Sequence, residues 1–288
     1  MCKEGIMKKT VLITGSNGYI GRHIVKSLQN TNLYNVVCVD YKQQETSETT
    51  IQYDIIKDCK KETLFNDLKS PDILIHLAWR DGFNHNATSH IEDLSSHFNF
   101  IKNLIDNGTK QVIVAGSFRE YGRVSGKVTE DFPCKTDTLY TIAKNALRES
   151  LEIYTKNKDI CFQWLRFFTP YGDDKYNNSI LSKILSWEQE GKTSFPFTDG
   201  LEEYDYIHVD ELAEQVVNVV KQQEIQGIIN ICSGKSVRLK DVVEKFIKEN
   251  SLKIKPEYGA FKRRDYDSNI IYGDNQKIQN IIRRNNEK

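Results

Sequence analysis

Three side chains in the middle of the chain have the types and spacing for proton transfer. Tyr140 and Lys144 are four residues apart at the start of a predicted helix, so they share one helix face. A tyrosine, whose reference pKa is about 10, is a poor acid or base at neutral pH, but an ammonium group one helical turn away favours the phenolate and lowers that pKa. Ser117 directly follows a predicted strand and could hold a substrate oxygen. Together they suit proton transfer at one carbon–oxygen bond. Taken separately, Tyr140 and Lys144 are also typical of a pair on a helix surface, and Ser117 is typical of a cap at the end of a strand.

A glycine-rich turn near the start of the chain indicates a dinucleotide-binding site. The apolar run Val11–Ile13 predicts a strand, and apolar residues recur at helical spacing over residues 20–28. Between them lie Gly15, Gly18 and Gly21. Such glycines allow the chain to reverse, the backbone to approach a pyrophosphate and the helix to pack closely on the sheet. The free N–H groups of the first helical turn then face the phosphates.

A carboxylate ends the next predicted strand at the distance expected for a ribose contact. The strand Asn35–Val39 is followed by Asp40, about twenty residues after the glycine turn. Its charge would repel a 2′-phosphate, which favours NAD over NADP. Lys42 lies close by and keeps NADP possible. The positive nicotinamide ring would add to the effect of Lys144 on the tyrosine pKa.

Composition excludes several classes of partner. The chain has 288 residues, 39% of them apolar, and 40 Lys and Arg balance 40 Asp and Glu to a formal net charge of +0. That balance gives no long-range attraction to nucleic acid or to an anionic membrane. There is no apolar run of the roughly twenty residues that a membrane span needs, and the first residues lack the apolar core of a signal peptide. We expect a cytoplasmic protein that binds a small molecule.

The six cysteines are scattered along the chain. They include no CxxC pair and have no histidines at ligand spacing. This distribution is typical of reduced thiols rather than of disulfides or structural zinc. We therefore predict no metal site.

Strands and helices alternate over the first part of the chain. Further predicted strands are Ile51–Ile55, Asp72–Leu77, Gln111–Ala115 and Cys161–Phe168, and the main predicted helices are Ile91–Asn107 and Leu139–Tyr154. This order predicts an α/β fold with a doubly wound parallel sheet covered on both faces. Ligands bind such sheets at the carboxyl ends of the strands, which is where Ser117 and Asp40 lie.

The alternation of predicted strands and helices becomes less regular after Gly172. Predicted helices are Ser179–Gln189, Glu211–Lys221 and Leu239–Asn250, and predicted strands are Tyr204–Val209 and Gly227–Cys232. We expect the last strand to return to the main sheet. The predicted division is a cofactor-binding domain over 1–172, completed by 205–234, and a small C-terminal substrate-binding lobe made of 173–204 and 235–288.

Eight motifs follow one another through nearly the whole chain. They are TGSNGYIG (Thr14–Gly21), HLA (His76–Ala78), GSFREYG (Gly116–Gly122), YTIAK (Tyr140–Lys144), LRFFTPYG (Leu165–Gly172), YDYIHVDELA (Tyr204–Ala213), NICSG (Asn230–Gly234) and RRDYD (Arg263–Asp267). In this order they resemble the extended short-chain dehydrogenase/reductase superfamily, in its branch of nucleotide-sugar epimerases, dehydratases and reductases. The resemblance implies a Rossmann-like fold, NAD as cofactor and a nucleotide sugar as substrate.

The resemblance also implies roles for single residues. The catalytic set would be Ser117, Tyr140 and Lys144. Cofactor contacts would come from Gly15, Asn17, Gly18, Tyr19, Ile20, Gly21, Asp40, Asp54, Ile55, Leu77, Ala78, Tyr140, Lys144 and Thr169. Substrate contacts would come from Trp79, Phe118, Arg119, Asn178, Arg264 and Asp267, with the Arg264 guanidinium on the diphosphate. A solvated basic turn is the alternative for Arg263–Arg264.

Several departures from the family pattern bear on the reaction. Phe118-Arg119 occupies the place of the Asp-Glu pair that follows the catalytic residue in 4,6-dehydratases, so an acid and a base for eliminating water are missing. Tyr204 stands where epimerases usually carry a phosphate-binding arginine. His97 replaces an expected asparagine and is either part of a proton relay or a core histidine. The insert Trp79–His85 either faces the substrate or is a surface loop.

Three functions are compatible with these features. The first is reduction of a nucleotide-linked 4-keto-6-deoxyhexose by NADH or NADPH. The alternative is a sugar-nucleotide 4-epimerase that retains NAD. A non-catalytic dinucleotide sensor is the third, but a sensor has no need of the Ser117, Tyr140 and Lys144 set.

The resemblance implies a possible homodimer. Members of the family often dimerise through the two long helices, here Ile91–Asn107 and Leu139–Tyr154. Phe98 and Ile101 would lie in that interface or would face the sheet.

Overall fold

Strands and helices alternate through the computed structural model, which describes residues 8–42, 50–172, 177, 179–263 and 267–287. The strands, in chain order, are β1 (Thr10–Thr14), β2 (Asn35–Asp40), β3 (Thr50–Gln52), β4 (Ile73–His76), β5 (Gln111–Ser117), β6 (Gly126–Val128), β7 (Cys161–Phe167), β8 (Thr169–Tyr171), β9 (Ser194–Pro196), β10 (Glu203–His208), β11 (Gly227–Ile231), β12 (Ser236–Arg238), β13 (Lys255–Glu257) and β14 (Ile270–Gly273). The helices are α1 (Tyr19–Thr31), α2 (Leu64–Asp67), α3 (Ser89–Glu92), α4 (Leu94–Asn107), α5 (Leu139–Thr155), α6 (Ile180–Gln189), α7 (Val209–Val220), α8 (Leu239–Glu249) and α9 (Gln276–Asn286). Within the described ranges, no helix has the length and apolar character needed to cross a membrane.

Seven strands form one sheet in the order β11-β7-β5-β4-β1-β2-β3. Every neighbouring pair in it is parallel. The strands β5 and β7 are buried at every residue, as expected where both faces of a parallel sheet are covered. Because β2 and β4 lie on opposite sides of β1, the direction of winding reverses there. A crevice for a ligand is expected beyond the carboxyl ends of the strands at such a point.

Helices cover both faces of this sheet. On one face, α1, α7 and α9 contribute Ile24, Val216 and Ile278 to a core with the strands. On the other face, α4 and α5 contribute Phe100 and Leu147 to a second core. The two layers confirm the predicted doubly wound, Rossmann-like α/β fold.

The predicted return of Gly227–Cys232 to the main sheet is also confirmed. β11 pairs in parallel with β7, in a register that runs from Gly227 opposite Gln163 to Ile231 opposite Phe167. The chain reaches this edge through α7, which packs on the sheet. Residues far along the sequence therefore complete the domain that the glycine turn begins.

A second sheet and a separate apolar core lie outside the main sheet. Strands β12-β10-β14-β6 pair in this order, with β8 beside β10, and β9 pairs with β13. Phe195, Phe197 and Val243 belong to the separate core. Two elements depart from the predicted division of the chain. β10 was predicted in the cofactor-binding domain but lies in the second sheet, and α9 was predicted in the lobe but buries Ile278 and Ile281 in the core of the main sheet. The division into two domains stays a proposal.

One predicted helix is divided in two. The apolar spacing predicts a single helix over Ile91–Asn107, but α3 ends at Glu92 and α4 begins at Leu94. Asp93 lies between them with φ −87° and ψ −10°, and its buried carboxylate binds the guanidinium of Arg80. The apolar spacing continues across Asp93, so the sequence pattern does not reveal the division.

Candidate active site

Ser117, Tyr140 and Lys144 come together at the carboxyl end of β5. Ser117 is the last residue of that strand, and its side chain lies close enough to Tyr140 to lower the pKa of that tyrosine. The Lys144 Nζ donates to the carbonyl oxygen of Ala115 in the same strand at 2.7 Å. It lies 5.9 Å from the centroid of the Tyr140 ring. The roles of these residues stay a prediction, but the structure assembles the set.

Two local caps fix the positions of these residues. The Ser117 hydroxyl accepts the N–H of Arg119 at 3.2 Å and so begins a 3₁₀ turn. The Thr138 hydroxyl accepts the N–H of Thr141 at 3.3 Å and begins α5. Because Tyr140 follows this cap by two residues, it lies in the first turn of the helix.

Burial controls the protonation of the tyrosine and the lysine. It raises the pKa of Tyr140 to about 12; the charge of Glu120 adds to this effect, and Ser117 and Arg119 oppose it. Burial lowers the pKa of Lys144 to about 7, against the charge of Glu120. We expected Lys144 to lower the Tyr140 pKa, but a lysine that is partly neutral at pH 7 gives little help. The protein alone therefore keeps Tyr140 protonated at neutral pH.

A buried ion pair that the sequence interpretation missed lies beneath Ser117. The Glu120 carboxylate accepts the N–H of Ser117 at 2.7 Å and the Nε–H of Arg166 at 3.0 Å. Trp164 Nε1 donates to it as well, at 3.0 Å. Both charged side chains are fully buried. The one signal in the sequence is the spacing Ser117-x-x-Glu120, which is that of a capping box.

A cleft of about 840 Å³ opens beyond the carboxyl ends of β1, β2 and β4. Of the residues predicted to contact the cofactor, those that line it are Gly15, Asn17, Gly18, Asp40, Asp54, Ile55, Leu77 and Ala78. Tyr19, Ile20 and Gly21 form the first turn of α1. Thr169 lies in β8, opposite Tyr206 of β10. The glycine turn and the strand ends thus meet at one cavity, as the sequence predicts.

The glycine turn in this cleft fits the pyrophosphate of NAD. Gly15 has φ +69°, and a Cβ there would lie 2.8 Å from the backbone nitrogen of Ala78. A Cβ on Gly21 would lie 2.1 Å from the carbonyl oxygen of Gly15. Gly18 precedes α1 and supplies no side-chain cap, and the N-terminus of a helix is a favourable position for phosphate oxygens.

Two carboxylates line the end of the cleft where we predict that the adenosine of the cofactor binds. One oxygen of Asp40 accepts the N–H of Asn17 at 3.1 Å, which holds the carboxylate beside the glycine turn where a ribose would bind. Asp54 follows β3 by two residues, and its Oδ1 accepts the N–H groups of Ile56 and Lys57, each at 3.1 Å. Because Asp54 turns the chain in this way, the strand is shorter than the predicted Ile51–Ile55. Its contact with the cofactor stays a prediction.

The insert that follows β4 folds against the predicted catalytic tyrosine. His85 stacks on the Tyr140 ring with centroids 5.5 Å apart. Trp79 and His90 approach the same ring edge-on, at 6.2 Å and 5.3 Å. Phe83 at the tip is 67% exposed. The ends of the insert therefore enclose Tyr140, and only its tip is surface loop.

His97 is a buried histidine at the inner end of the cleft. It is 3% exposed, and its Nδ1 lies 2.9 Å from the Nε2 of His76, whose Nδ1 lies 2.9 Å from the Thr14 hydroxyl. Burial, with the charges of Lys144 and Arg80, lowers the pKa of His97 to about 3. These contacts favour the core-histidine interpretation, because the hydrogen-bonded chain ends at the fully buried Thr14.

The predicted substrate residues Phe118 and Arg119 line a small pocket together with Tyr204. The Arg119 Nη1 lies 3.1 Å from the Asp267 carboxylate, and its guanidinium lies 5.3 Å from the centroid of the Phe118 ring. Trp79 lines the larger cleft instead. Phe118, Arg119 and Asp267 are thus gathered where the end of β5 meets the C-terminal segment.

The basic pair near the C-terminus is only partly described. Arg263 donates to the Asp199 carboxylate at 2.8 Å and 2.7 Å, so this arginine is paired within the protein and is not simply solvated. Arg264 lies outside the described residues, and so does Asn178. Their predicted contacts with the substrate stay predictions.

Comparison with known proteins agrees with the motifs. The family model described as "NAD dependent epimerase/dehydratase family" matches residues 11–232. A dTDP-6-deoxy-L-talose 4-dehydrogenase (NAD(+)) of Aggregatibacter actinomycetemcomitans is 36% identical over 268 residues, which cover 91% of this chain and 98% of that protein. The family's dependence on NAD confirms the predicted cofactor.

Solved structures support the same fold. MoeE5 in complex with UDP-glucuronic acid and NAD is similar with a TM-score of 0.81 and 24% identity, over 94% of this chain and 92% of that one. A UDP-N-acetylglucosamine 4-epimerase from Methanobrevibacter ruminantium M1 is similar with a TM-score of 0.81 and 21% identity, over 96% and 92%. The chain belongs to the NAD-dependent epimerase/dehydratase family and is an enzyme of the extended short-chain dehydrogenase/reductase type.

Proposed function

We propose that the protein is an NAD-dependent reductase of a nucleotide-activated 4-keto-6-deoxyhexose. The observation that supports this most is the partly buried, protonated Tyr140, which lies close to Ser117 beside a cleft that fits NAD. A group that donates a proton to a keto oxygen must be protonated before the reaction. The relative with 36% identity is named as a 4-dehydrogenase of a 6-deoxy sugar nucleotide. Such an enzyme oxidises the alcohol at C4, which is the reverse of the proposed reduction.

The side chains at the end of β5 and the start of α5 would manage the substrate oxygen. Bound NADH would supply the hydride that reduces C4. Ser117 holds the keto oxygen by a hydrogen bond, and Tyr140 gives its phenolic proton to that oxygen, so the carbonyl becomes a secondary alcohol. Lys144 as an ammonium favours the tyrosinate that remains. Its side chain would also hold a ribose hydroxyl of the cofactor.

Dehydration is not supported at this site. The two residues after Ser117 are Phe118 and Arg119, and neither can act as the acid or base that removes water. Arg119 is instead paired with Asp267. We propose that Phe118, Arg119 and Asp267 face the sugar nucleotide, together with Trp79, Asn178 and Arg264.

A 4-epimerase with tightly bound NAD is the alternative. One oxygen placed between Ser117 and Tyr140 could be deprotonated as well as protonated, which is what epimerisation through a keto intermediate requires. The two functions differ in the fate of the cofactor. An epimerase keeps its NAD through purification, whereas a reductase must exchange it in every cycle.

The test is oxidation of NADH and NADPH by the purified protein, followed by their near-ultraviolet absorbance. The substrates are nucleotide 4-keto-6-deoxy sugars generated in the same mixture by a dehydratase. We expect stoichiometric NADH oxidation with one nucleotide series and slower oxidation of NADPH, because of the Asp40 charge. Interconversion of C4 epimers without net oxidation would establish the epimerase instead.

We also propose a homodimer in the cytoplasm. Ile142 and Ile153 on α5 and Ile91 on α3 are exposed apolar side chains, at 43%, 77% and 43%, and a helix-to-helix interface would cover them. Phe98 is partly buried and packs on Tyr154 of α5. Ile101 is fully buried in the core, so it faces the sheet and not the interface.

A further inference from the structure

An aromatic ring from the insert lies directly against the predicted catalytic lysine. The Nζ of Lys144 is 3.8 Å from the Trp79 ring centroid. The imidazole of His97 stacks on Trp79 at 4.5 Å with an angle of 14° between the rings. The cofactor cleft is lined by both Trp79 and His97. The proposed function assigns no role to the contact between Lys144 and Trp79.

The Trp79 ring is held in one orientation by hydrogen bonds. Its Nε1 donates to the Nδ1 of His90 at 3.0 Å. Since an indole N–H can only donate, the His90 Nδ1 accepts, and the proton of this imidazole lies on Nε2. That nitrogen is 2.9 Å from the carbonyl oxygen of Asn84, to which it donates. His90 is 1% exposed, so the ring that faces Lys144 is fixed by the loop that carries it.

We propose that Trp79 is a positioning residue for Lys144, and that its ring face holds the lysine as an ammonium ion against the carbonyl oxygen of Ala115. An ammonium within about 6 Å of an indole centroid is attracted by the negative face of the ring, and the attraction grows when the pair is desolvated. The proposal rests on the catalytic role of Lys144 in the proposed function. It assigns to Trp79 a contact within the protein, separate from any contact with the substrate.

The surroundings of Lys144 explain why such a ring is needed. Burial alone lowers the pKa of this lysine, and Glu120 is the charge that opposes the effect. Three other titratable groups near it are neutral at pH 7: Tyr140 on its own helix, His97 on α4 and His76 on β4. A neutral lysine could not stabilise the tyrosinate. The indole face favours the charged form of Lys144. It does so without a counter-ion that would compete with the cofactor for the ammonium group.

The test is the pKa of Lys144 in the cofactor-free enzyme, measured by NMR on protein with ¹³C-labelled lysine ε-carbons. One lysine should titrate near neutral pH, and its signal should be missing in Lys144→Met. We expect Trp79→Leu to lower this pKa by about one, which matches the usual size of a desolvated cation–π contact. Trp79→Phe keeps an aromatic face and should give a smaller fall. Trp187→Phe is the control, because its lysine neighbour Lys192 is half exposed.

The direction of the change separates this role from simple packing. Removal of the ring also admits water to Lys144, and water alone would raise its pKa. A rise or no change in folded Trp79→Leu, or an equal fall in Trp79→Phe, would overturn the proposal. In the active enzyme, kcat/KM should fall as pH rises through the Lys144 pKa, and this fall should move to lower pH in Trp79→Leu. Because the NMR measurement needs neither substrate nor turnover, it can fail while reduction succeeds, or succeed while reduction fails.

Discussion

Tyr140 is the residue on which the proposed chemistry depends most. Its hydroxyl is an acidic group that lies beside Ser117 and stays protonated at neutral pH. We expect Tyr140→Phe to lower kcat by about a hundredfold to ten-thousandfold, the usual contribution of a general acid. Kinetics with a keto sugar nucleotide would measure the loss, and titration with NAD should show unchanged binding.

A second tyrosine on the same helix provides the control. Tyr154 lies at the far end of α5, where its hydroxyl binds Asp106. Tyr154→Phe should retain full turnover. A Tyr140→Phe enzyme with normal kcat would show that another group donates the proton.

Glu120 is a further residue whose position matters to the site. It anchors the backbone of Ser117, and its charge is balanced by Arg166. Glu120→Gln leaves a buried guanidinium without its counter-charge, so we expect the free energy of unfolding to fall by about 3–5 kcal/mol. Denaturant titration would measure it. Glu149→Gln, on a side chain that is 57% exposed, should change it by less than about 0.5 kcal/mol, and equal effects would contradict the importance of the buried pair.

At the scale of elements, the turn between β1 and α1 is the segment that we predict to hold the pyrophosphate of the cofactor. A methyl group on Gly21 would meet the carbonyl oxygen of Gly15 at 2.1 Å, so Gly21→Ala must shift α1 away from the turn. Strain of about 1–3 kcal/mol is typical of such overpacking, which corresponds to about fivefold to 150-fold weaker NAD binding. Calorimetric titration with NAD would measure this.

The same substitution elsewhere should have no such effect. No atom of the residues that the structure describes lies within 4 Å of a Cβ placed on Gly82, so Gly82→Ala should bind NAD like the unmodified protein. If both variants bind NAD normally, the turn does not hold the pyrophosphate.

The order of the elements could be read from the sequence because each signal is local. Apolar runs, glycines and helical spacing predicted the strands and helices of the main sheet, and the return of β11 followed from the apolar strand Gly227–Cys232. The division at Asp93 could not be read, because it depends on Arg80, which reaches that carboxylate from a neighbouring loop. A polar contact between two elements, such as that of Arg80 with Asp93, cannot be read from the spacing of apolar residues.

The same limit applies to the candidate site. Ser117, Tyr140 and Lys144 lie in short motifs at element ends, and the residues predicted to contact the cofactor follow strand ends, so sequence and topology were sufficient to predict where they lie. Their roles stay predictions. The burial of Glu120 depends on Arg166 in the next strand of the sheet. The effect of burial on the Tyr140 pKa also arises from packing in three dimensions. Both were therefore missed.

At the scale of the whole molecule, an ion pair joins the end of the parallel sheet to the C-terminal segment. Arg119 follows β5, and its partner Asp267 precedes β14 of the second sheet. We expect Asp267→Asn to raise the KM for the sugar nucleotide severalfold and to leave NAD binding unchanged, because a partly exposed pair contributes about 1 kcal/mol or less. Steady-state kinetics would measure the change.

An exposed aspartate is the matched control for this pair. Asp159 is 98% exposed beside Lys110, and Asp159→Asn should alter neither constant. If Asp267→Asn changes kcat and NAD binding while the KM stays constant, Arg119 and Asp267 do not form part of the substrate site.

The most direct test of the proposed reduction follows the hydride itself. The enzyme would be given NADH that carries deuterium at the transferred position, with a nucleotide 4-keto-6-deoxy sugar, and the product would be analysed by mass spectrometry and NMR. A reductase places one deuterium on C4 for each NAD⁺ formed, and we expect this result. Interconversion at C4 with no deuterium from the added cofactor would contradict reduction and establish an epimerase that recycles its own bound NAD.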